Sequence, residues 1–248
     1  MCSTIDRLFE SRSSSGNISF IYKNIFEALF INGGFKYNRS WKNLLYGYNY
    51  QGIMSVKTTI DQPTESSGYD VNVNVSKGLD LWPATIRIFG GYNENTGKLL
   101  IQDEILNYQS EGYSARGSLN INPTSLLSVN YSFAWNQSKS YIIENTEGFP
   151  AIRGISQTAN MNVFPHKTLT VNINFEHQYN NATSSRHTTF ADAGVKFRHK
   201  QWDLELALNN IFNTKQYVSA SYSDISTYYY SYQLRPMCFL LKTRFKLK

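Results

Sequence analysis

Histidine, cysteine, serine and carboxylate side chains are the first candidates for chemistry, and their spacing here assembles no reactive set. The four histidines, His166, His177, His187 and His199, fall on turns and loop flanks with no Asp, Glu or Cys partner at ligand spacing. They read as turn or rim residues, not as catalytic bases. No Ser–His or Asp–His constellation stands out for hydrolysis, so a non-enzyme is expected. The two cysteines, Cys2 and Cys238, lie at opposite ends and give neither a disulfide framework nor a metal-ligand pair. Gly33-Gly34 and Gly90-Gly91 are isolated pairs, not phosphate-binding loops, and are expected to mark bends or bulges inside strands. No cofactor and no metal is expected.

With no reactive set, any function must come from surfaces and from the elements that present them. Of 248 residues, 41% are hydrophobic and 17% charged, both below the usual soluble values of about 45–50% and about 25%. The difference is made up by 18 Tyr, 15 Phe, 15 Gly and an excess of Asn and Ser. Aromatic residues at 15% exclude a disordered chain. A mean hydropathy of −0.40, with no run approaching about 18 apolar residues, excludes a helical membrane protein. The net charge of +6 is scattered, without the basic run that nucleic acid would call for, so no nucleic-acid partner is expected. The one concentration, Lys242, Arg244, Lys246 and Lys248, is spaced by two and belongs to a strand face. Residues 1–16 carry no apolar segment of a secretory signal. Residues 1–15 are expected as a disordered or fragment N-terminus.

Alternation with a period of two dominates the rest of the chain. Val71, Val73 and Val75 alternate with Asn and Ser; Leu127, Val129, Tyr131, Phe133 and Trp135 do the same. So do Val171, Ile173 and Phe175, then Leu204, Leu206 and Leu208, then Phe239, Leu241, Thr243, Phe245 and Leu247. A helix cannot gather such sets on one side, because residues two apart point in nearly opposite directions around its axis. Tight turns are expected at 77–80, 122–125, 164–167 and 198–201. Longer loops are expected around 93–103, 137–149, 179–187 and 213–227. Upstream, Ile18–Tyr22, Ile25–Ser40 and Gly52–Asp61 look extended, the last as a strand or as part of an outer hairpin.

A soluble β-sandwich or solenoid is the bland alternative, but sandwich strands run about five or six residues. The strands here run about 10–16, enough to cross a bilayer at a tilt. Aromatics gather at their ends: Trp82, Phe164 and Trp202 by the short turns, and Tyr92, Trp135, Tyr141, Tyr179 and Tyr217 by the long loops. Two aromatic girdles, short turns below and long loops above predict an all-β fold, an antiparallel transmembrane β-barrel of about 10–12 strands.

The segment Leu206-Ala207-Leu208-Asn209-Asn210-Ile211-Phe212-Asn213-Thr214-Lys215-Gln216-Tyr217 resembles the penultimate-strand signature of TonB-dependent outer-membrane receptors. Tyr232-Gln233-Leu234-Arg235-Pro236, followed by Phe239 to Leu247, resembles their final strand. Tyr22-Lys23-Asn24 and the Val75-Ser76-Lys77-Gly78-Leu79 turn are similar to barrels of the Bacteroidetes branch. The likeness runs from about residue 16 to the end. It departs from the family at Met237, where the pattern tends to carry Arg, and at the closing Lys246-Leu247-Lys248, where the family usually ends on an aromatic.

The resemblance implies that residues 16–248 are the C-terminal half of a 22-stranded barrel, without its plug domain, in the bacterial outer membrane. It implies nutrient uptake, of a metal chelate or an oligosaccharide, with the plug, the N-terminal strands, TonB, outer-membrane lipid and the barrel-assembly machinery as partners. Tyr222, Tyr228, Tyr229 and Tyr230 are then the candidate ligand contacts, because tyrosine stacks on sugar or chelate rings. A complete small barrel acting as a passive pore or adhesin is the alternative. In the final strand Phe239, Leu241, Phe245 and Leu247 are expected to face lipid, and Lys242, Arg244 and Lys246 the lumen.

Overall fold

A computed structural model describes residues 8–51, 54–79, 83–143, 150–223 and 226–245. The expectations for Cys2, Trp82, Lys246 and Leu247 lie outside the described residues, and of Tyr222 only the backbone is described. The strands are β1 (Ser11–Asn24), β2 (Leu29–Lys42), β3 (Leu45–Gln51), β4 (Met54–Ile60), β5 (Thr64–Leu79), β6 (Ala84–Ile101), β7 (Glu104–Thr124) and β8 (Leu127–Ile142). They continue as β9 (Ile152–His166), β10 (Leu169–Asn180), β11 (His187–His199), β12 (Trp202–Asn209), β13 (Gln216–Ser223), β14 (Ser226–Gln233) and β15 (Cys238–Phe245).

Eleven of these form one antiparallel meander in the order β1-β2-β5-β6-β7-β8-β9-β10-β11-β12-β15. The other four make two hairpins at the long-loop end: β3–β4 inserted between β2 and β5, and β13–β14 between β12 and β15. The described part of the 52–61 segment, Met54–Ile60, therefore belongs to an outer hairpin and is not a separate span.

Three sequence expectations are corrected. Ile25–Ser40 is not one strand: the chain turns at 25–28, where Asn24 accepts the Glu27 N–H at 3.2 Å and Ala28 takes φ 47°. The loop expected at 93–103 is strand, because β6 and β7 run on to a two-residue turn. There Gln102 and Asp103 both have positive φ, 51° and 63°, the conformation that matches hairpin twist. Gly33-Gly34 and Gly90-Gly91 lie in unbroken pairing; the register shifts occur instead at Ile121/Thr124 and Leu169/Val171. β1 opens at Ser11, so the sheet also takes in the last residues of the 1–15 segment.

The register sorts the side chains into two faces. One carries Leu29, Ile31 and Phe35, then Val71, Val73 and Val75, then Ile86 and Ile88, and so on to Leu204, Leu206 and Leu241. Eight residues beyond Leu29, Ala84, Ile121 and Leu127, the same face shows Tyr37, Tyr92, Tyr113 and Trp135. Eight residues are about 26 Å of strand, which at barrel tilt fits an apolar band with an aromatic girdle at its upper edge. The girdle continues into charge: Arg39, Glu94 and Glu111 stand one step further on.

Among the described residues this apolar face is exposed. Ile88 is 59% exposed and Leu241 58%. Among the described residues Leu100 is the largest fully buried side chain, and it lies at the outer end of β6 against the β3–β4 hairpin. A single-layer sheet with such a face needs an apolar surface against it, lipid or protein. In β15 the faces fall as expected: Phe239, Leu241 and Phe245 pair with Leu208, Leu206 and Trp202, while Lys242 and Arg244 lie opposite Glu205 and Asp203.

The β3–β4 hairpin docks by a close backbone approach. β3 runs parallel to β6 at Gly47↔Leu100 and Tyr48↔Ile101, over the buried Leu44, Leu45 and Leu100. A Cβ on Gly47 would collide with the carbonyl oxygen of Leu100, and backbone cannot yield as a side chain can. Gly47→Val is expected to detach β3–β4 from β6, raising amide hydrogen exchange over 45–60 while leaving the meander protected. Unchanged exchange there would contradict this packing.

Candidate functional site

The polar face is a continuous lining of amides and hydroxyls. Asn120, Asn130, Asn160 and Asn174 are direct neighbours across β7 to β10, and Ser118, Ser132 and Thr158 form the adjacent row. With Arg87 and Asn122, side chains of both rows enclose a hollow of about 440 Å³. From β2 to β11 glycine and asparagine pair across the same face: Gly34↔Asn72, Gly68↔Asn95, Asn93↔Gly112, Asn136↔Gly154 and Asn172↔Gly194. At Gly68, Gly112, Gly154 and Gly194 the amide of the partner Asn lies where a Cβ would stand. The Asn-rich composition is thus a flat polar lining. Towards β15 it becomes charged: Glu205 lies 3.2 Å from Lys242 and 4.0 Å from Lys196. Cys238 shares this face, opposite Asn209.

At the long-loop end the chain leaves β12 through a corner built by two asparagines in the left-handed region, Asn210 (φ 53°) and Asn213 (φ 53°). The Asn210 amide donates to the carbonyls of Thr214 (2.9 Å) and Arg235 (2.8 Å), and its oxygen accepts the Thr214 N–H at 2.9 Å. The Thr214 hydroxyl donates to the Thr189 carbonyl at 2.6 Å. Asn213 accepts the Met237 N–H at 3.2 Å. One side chain therefore ties both ends of the β13–β14 excursion together. This explains in physical terms the motif singled out at 206–217, whose individual asparagines sequence reasoning did not rank.

The hairpin leans over the polar face, held by the Asn180 amide donating to the Ala220 carbonyl at 2.9 Å. Between β13 and the wall is a second hollow of about 260 Å³, to which Gln178, Asn180, Arg186, Thr188, Tyr217 and Ser221 contribute. The candidate tyrosines divide by strand parity. Tyr228 and Tyr230 share a hairpin face with Tyr217 and Tyr232, whose rings stack at 6.5 Å; Tyr229 occupies the opposite face. Tyr228, Tyr229 and Tyr230 are all exposed, at 47, 63 and 48%. They form no single cluster.

Of the four histidines, the register brings two together. His177 Nε2 and His187 Nδ1 lie 3.2 Å apart on β10 and β11. His166 instead bonds the Thr168 hydroxyl, and His199 stacks on Phe197.

Above the girdle, charge is matched locally. Arg39 donates twice to Glu65, at 2.5 and 2.7 Å, which raises the guanidinium and lowers the carboxyl from their ordinary values. Tyr141, near the top of β8, donates to Glu111 at 3.0 Å. Partial burial, then the bond to Glu111, push its phenol up to about 12. Only the neutral phenol can donate. The bond's contribution is therefore complete below the ordinary value of about 10 and is lost as pH rises through about 12. In a difference titration of tyrosinate absorbance, wild type minus Tyr141→Phe should show its step near 12; a step near 10 would contradict the bond.

Among the solved structures that match the sheet are two mutant forms of the ferric enterobactin receptor PfeA from Pseudomonas aeruginosa. One match covers 86% of this chain and 34% of the receptor, at TM-score 0.56 and 8% identity. The other covers 89% and 37%, at TM-score 0.52 and 10% identity. The chain thus spans about a third of the length of these receptors. No protein-family model and no curated protein matches the sequence. What is shared at such identity is the fold, an antiparallel β-barrel wall.

Proposed function

We propose that this chain is the C-terminal barrel portion, residues 16–248, of a TonB-dependent receptor in the bacterial outer membrane, taking up a scarce nutrient such as a metal chelate or an oligosaccharide. The observation that carries this is strand parity. Eleven strands in an antiparallel meander leave β1 and β15 running the same way, both towards the short-turn end. Closing on itself would need a parallel seam, whereas bacterial outer-membrane barrels close with even, antiparallel strand numbers. A second copy in the same membrane orientation would give two parallel seams. An odd number of further strands, entering and leaving opposite to β1 and β15, satisfies both edges. The N-terminal half of a 22-stranded barrel supplies such a set, and this disfavours the small passive pore or adhesin.

In this reading the amide-lined face meets the plug, lipid covers the apolar face after delivery by the barrel-assembly machinery, and TonB acts through the plug. Ligand is met at the outer hairpins, where Tyr222, Tyr228, Tyr229 and Tyr230 are the candidate contacts and the rings of Tyr228, Tyr229 and Tyr230 are exposed for stacking. The test is uptake of labelled ferric chelates and oligosaccharides by cells carrying the receptor that contains this chain. Tyr228→Ala with Tyr230→Ala should lower binding about five-fold or more, as expected for loss of aromatic contacts, with unchanged membrane levels. Uptake that survives dissipation of the proton gradient would overturn the TonB-dependent reading. Unchanged binding in the double variant would remove the tyrosines alone.

A further inference from the structure

We propose that His177 and His187 form a two-histidine site for a divalent transition-metal ion on the outward face of the wall, separate from the polar lining. His177 stands on β10 opposite Thr189, and His187 on β11 opposite Tyr179, so the two are diagonal neighbours on one face. Eleven consecutive register pairs, Leu169↔Phe197 to Tyr179↔His187, fix the strands that carry them. Their facing nitrogens, His177 Nε2 and His187 Nδ1, are 3.2 Å apart, and the rings are inclined by 27° with centroids at 5.4 Å.

That separation suits a proton shared in an N–H···N bond, and it also suits a metal. Two nitrogens 3.2 Å apart subtend about 100° at an ion held about 2.1 Å from each. This lies between octahedral and tetrahedral angles; because the facing nitrogens and ring centroids are nearly in line, each ring must swing by about 40° to aim its lone pair at one ion. Binding needs no net loss of protons: the bridging N–H moves to the far nitrogen of its ring, and both facing nitrogens become free ligands. Tyr179 packs against His187 at 5.0 Å and limits the ring's freedom.

The donor set names the ion. Two imidazoles favour Cu²⁺, Ni²⁺ or Zn²⁺ over Mg²⁺ and Ca²⁺, with Cu²⁺ first by intrinsic affinity. Among the described residues no group of three or more His, Cys, Asp or Glu converges. The remaining positions therefore go to water, which makes the site exchangeable, suited to capturing an ion and not to holding one permanently.

Cu²⁺ titration of the full chain in detergent tests this, with His177→Gln, His187→Gln, the double variant, and His166→Gln and His199→Gln as controls. One equivalent should bind, with electron paramagnetic resonance showing two imidazole nitrogens. Either single variant should weaken binding about ten-fold or more, because the second imidazole acts as a tethered ligand. The controls should leave it unchanged. Single variants that bind like wild type would overturn the proposal, as would a wild-type affinity no higher than the double variant's. The nitrogen count on wild type needs no variant: a single coupled nitrogen also overturns it.

Discussion

Leu241→Arg is expected to cut the chain recovered in folded, membrane-inserted form about ten-fold or more, while Lys242→Ala leaves it close to wild type. The two positions are adjacent, yet β15 turns them to opposite faces. Leu241 lies opposite Leu206, midway between Phe245 at the short-turn end and the top of the apolar band, and is 58% exposed to whatever surrounds the wall. An arginine at the midplane of that face costs about 2–4 kcal/mol, which at about 1.4 kcal/mol per decade exceeds ten-fold. Lys242 Nζ instead sits 3.2 Å from Glu205 in a half-exposed pair, worth about 0–1 kcal/mol, and Lys196 stays near Glu205 when it is removed. Insertion into lipid vesicles, read by protease protection, measures both. Equal yields would mean that the apolar face is not the one meeting lipid.

The faces of β15 were legible because alternation depends only on local sequence: each residue's side follows from its parity. The tight turns expected at 122–125, 164–167 and 198–201 were legible to within a few residues, falling at 125–126, 167–168 and 200–201, since turn chemistry is local. The stretch 93–103 misled because Asn and Gly read as loop. Asn93 and Asn95 are instead wall residues whose amides lie over Gly112 and Gly68, glycines on neighbouring strands, so their role exists only after pairing. The His177–His187 pair was illegible for the same reason: nine residues separate them, and a shift of one in the β10–β11 register would send them to opposite faces. Tyr222, Tyr228, Tyr229 and Tyr230 were named together as ligand contacts, but once β13 and β14 pair, parity puts Tyr229 on the opposite face from Tyr228 and Tyr230.

Asn210→Ala is expected to destabilise the β12–β15 region by about 3–4 kcal/mol, the largest single-residue effect at the long-loop end. The substitution removes three hydrogen bonds, those to the Thr214 carbonyl, the Arg235 carbonyl and from the Thr214 N–H, at about 1 kcal/mol each. It also places a Cβ-bearing residue without a polar side chain at φ 53°, which costs about 1 kcal/mol more. The two contributions can be separated. Asn210→Gly restores the backbone freedom but not the amide, so it should recover about 1 kcal/mol of the loss. Asn213→Ala gives up one longer bond, the Met237 N–H at 3.2 Å, and should cost about half as much as Asn210→Ala. Hydrogen exchange over 210–245 in the inserted chain reads all three. Because Asn210 joins Thr214 at one end of the β13–β14 excursion to Arg235 at the other, its loss should also free that hairpin from its place beside Gln178 and Arg186. Protection of Ala220 and its neighbours should fall in step with that of β15. If Asn210→Ala proved no worse than Asn213→Ala, the corner would be held by its backbone bonds, Ile211 to Ala191 at 2.8 Å and Leu234 to Lys215 at 2.9 Å, and the asparagine would be only a residue that tolerates the turn.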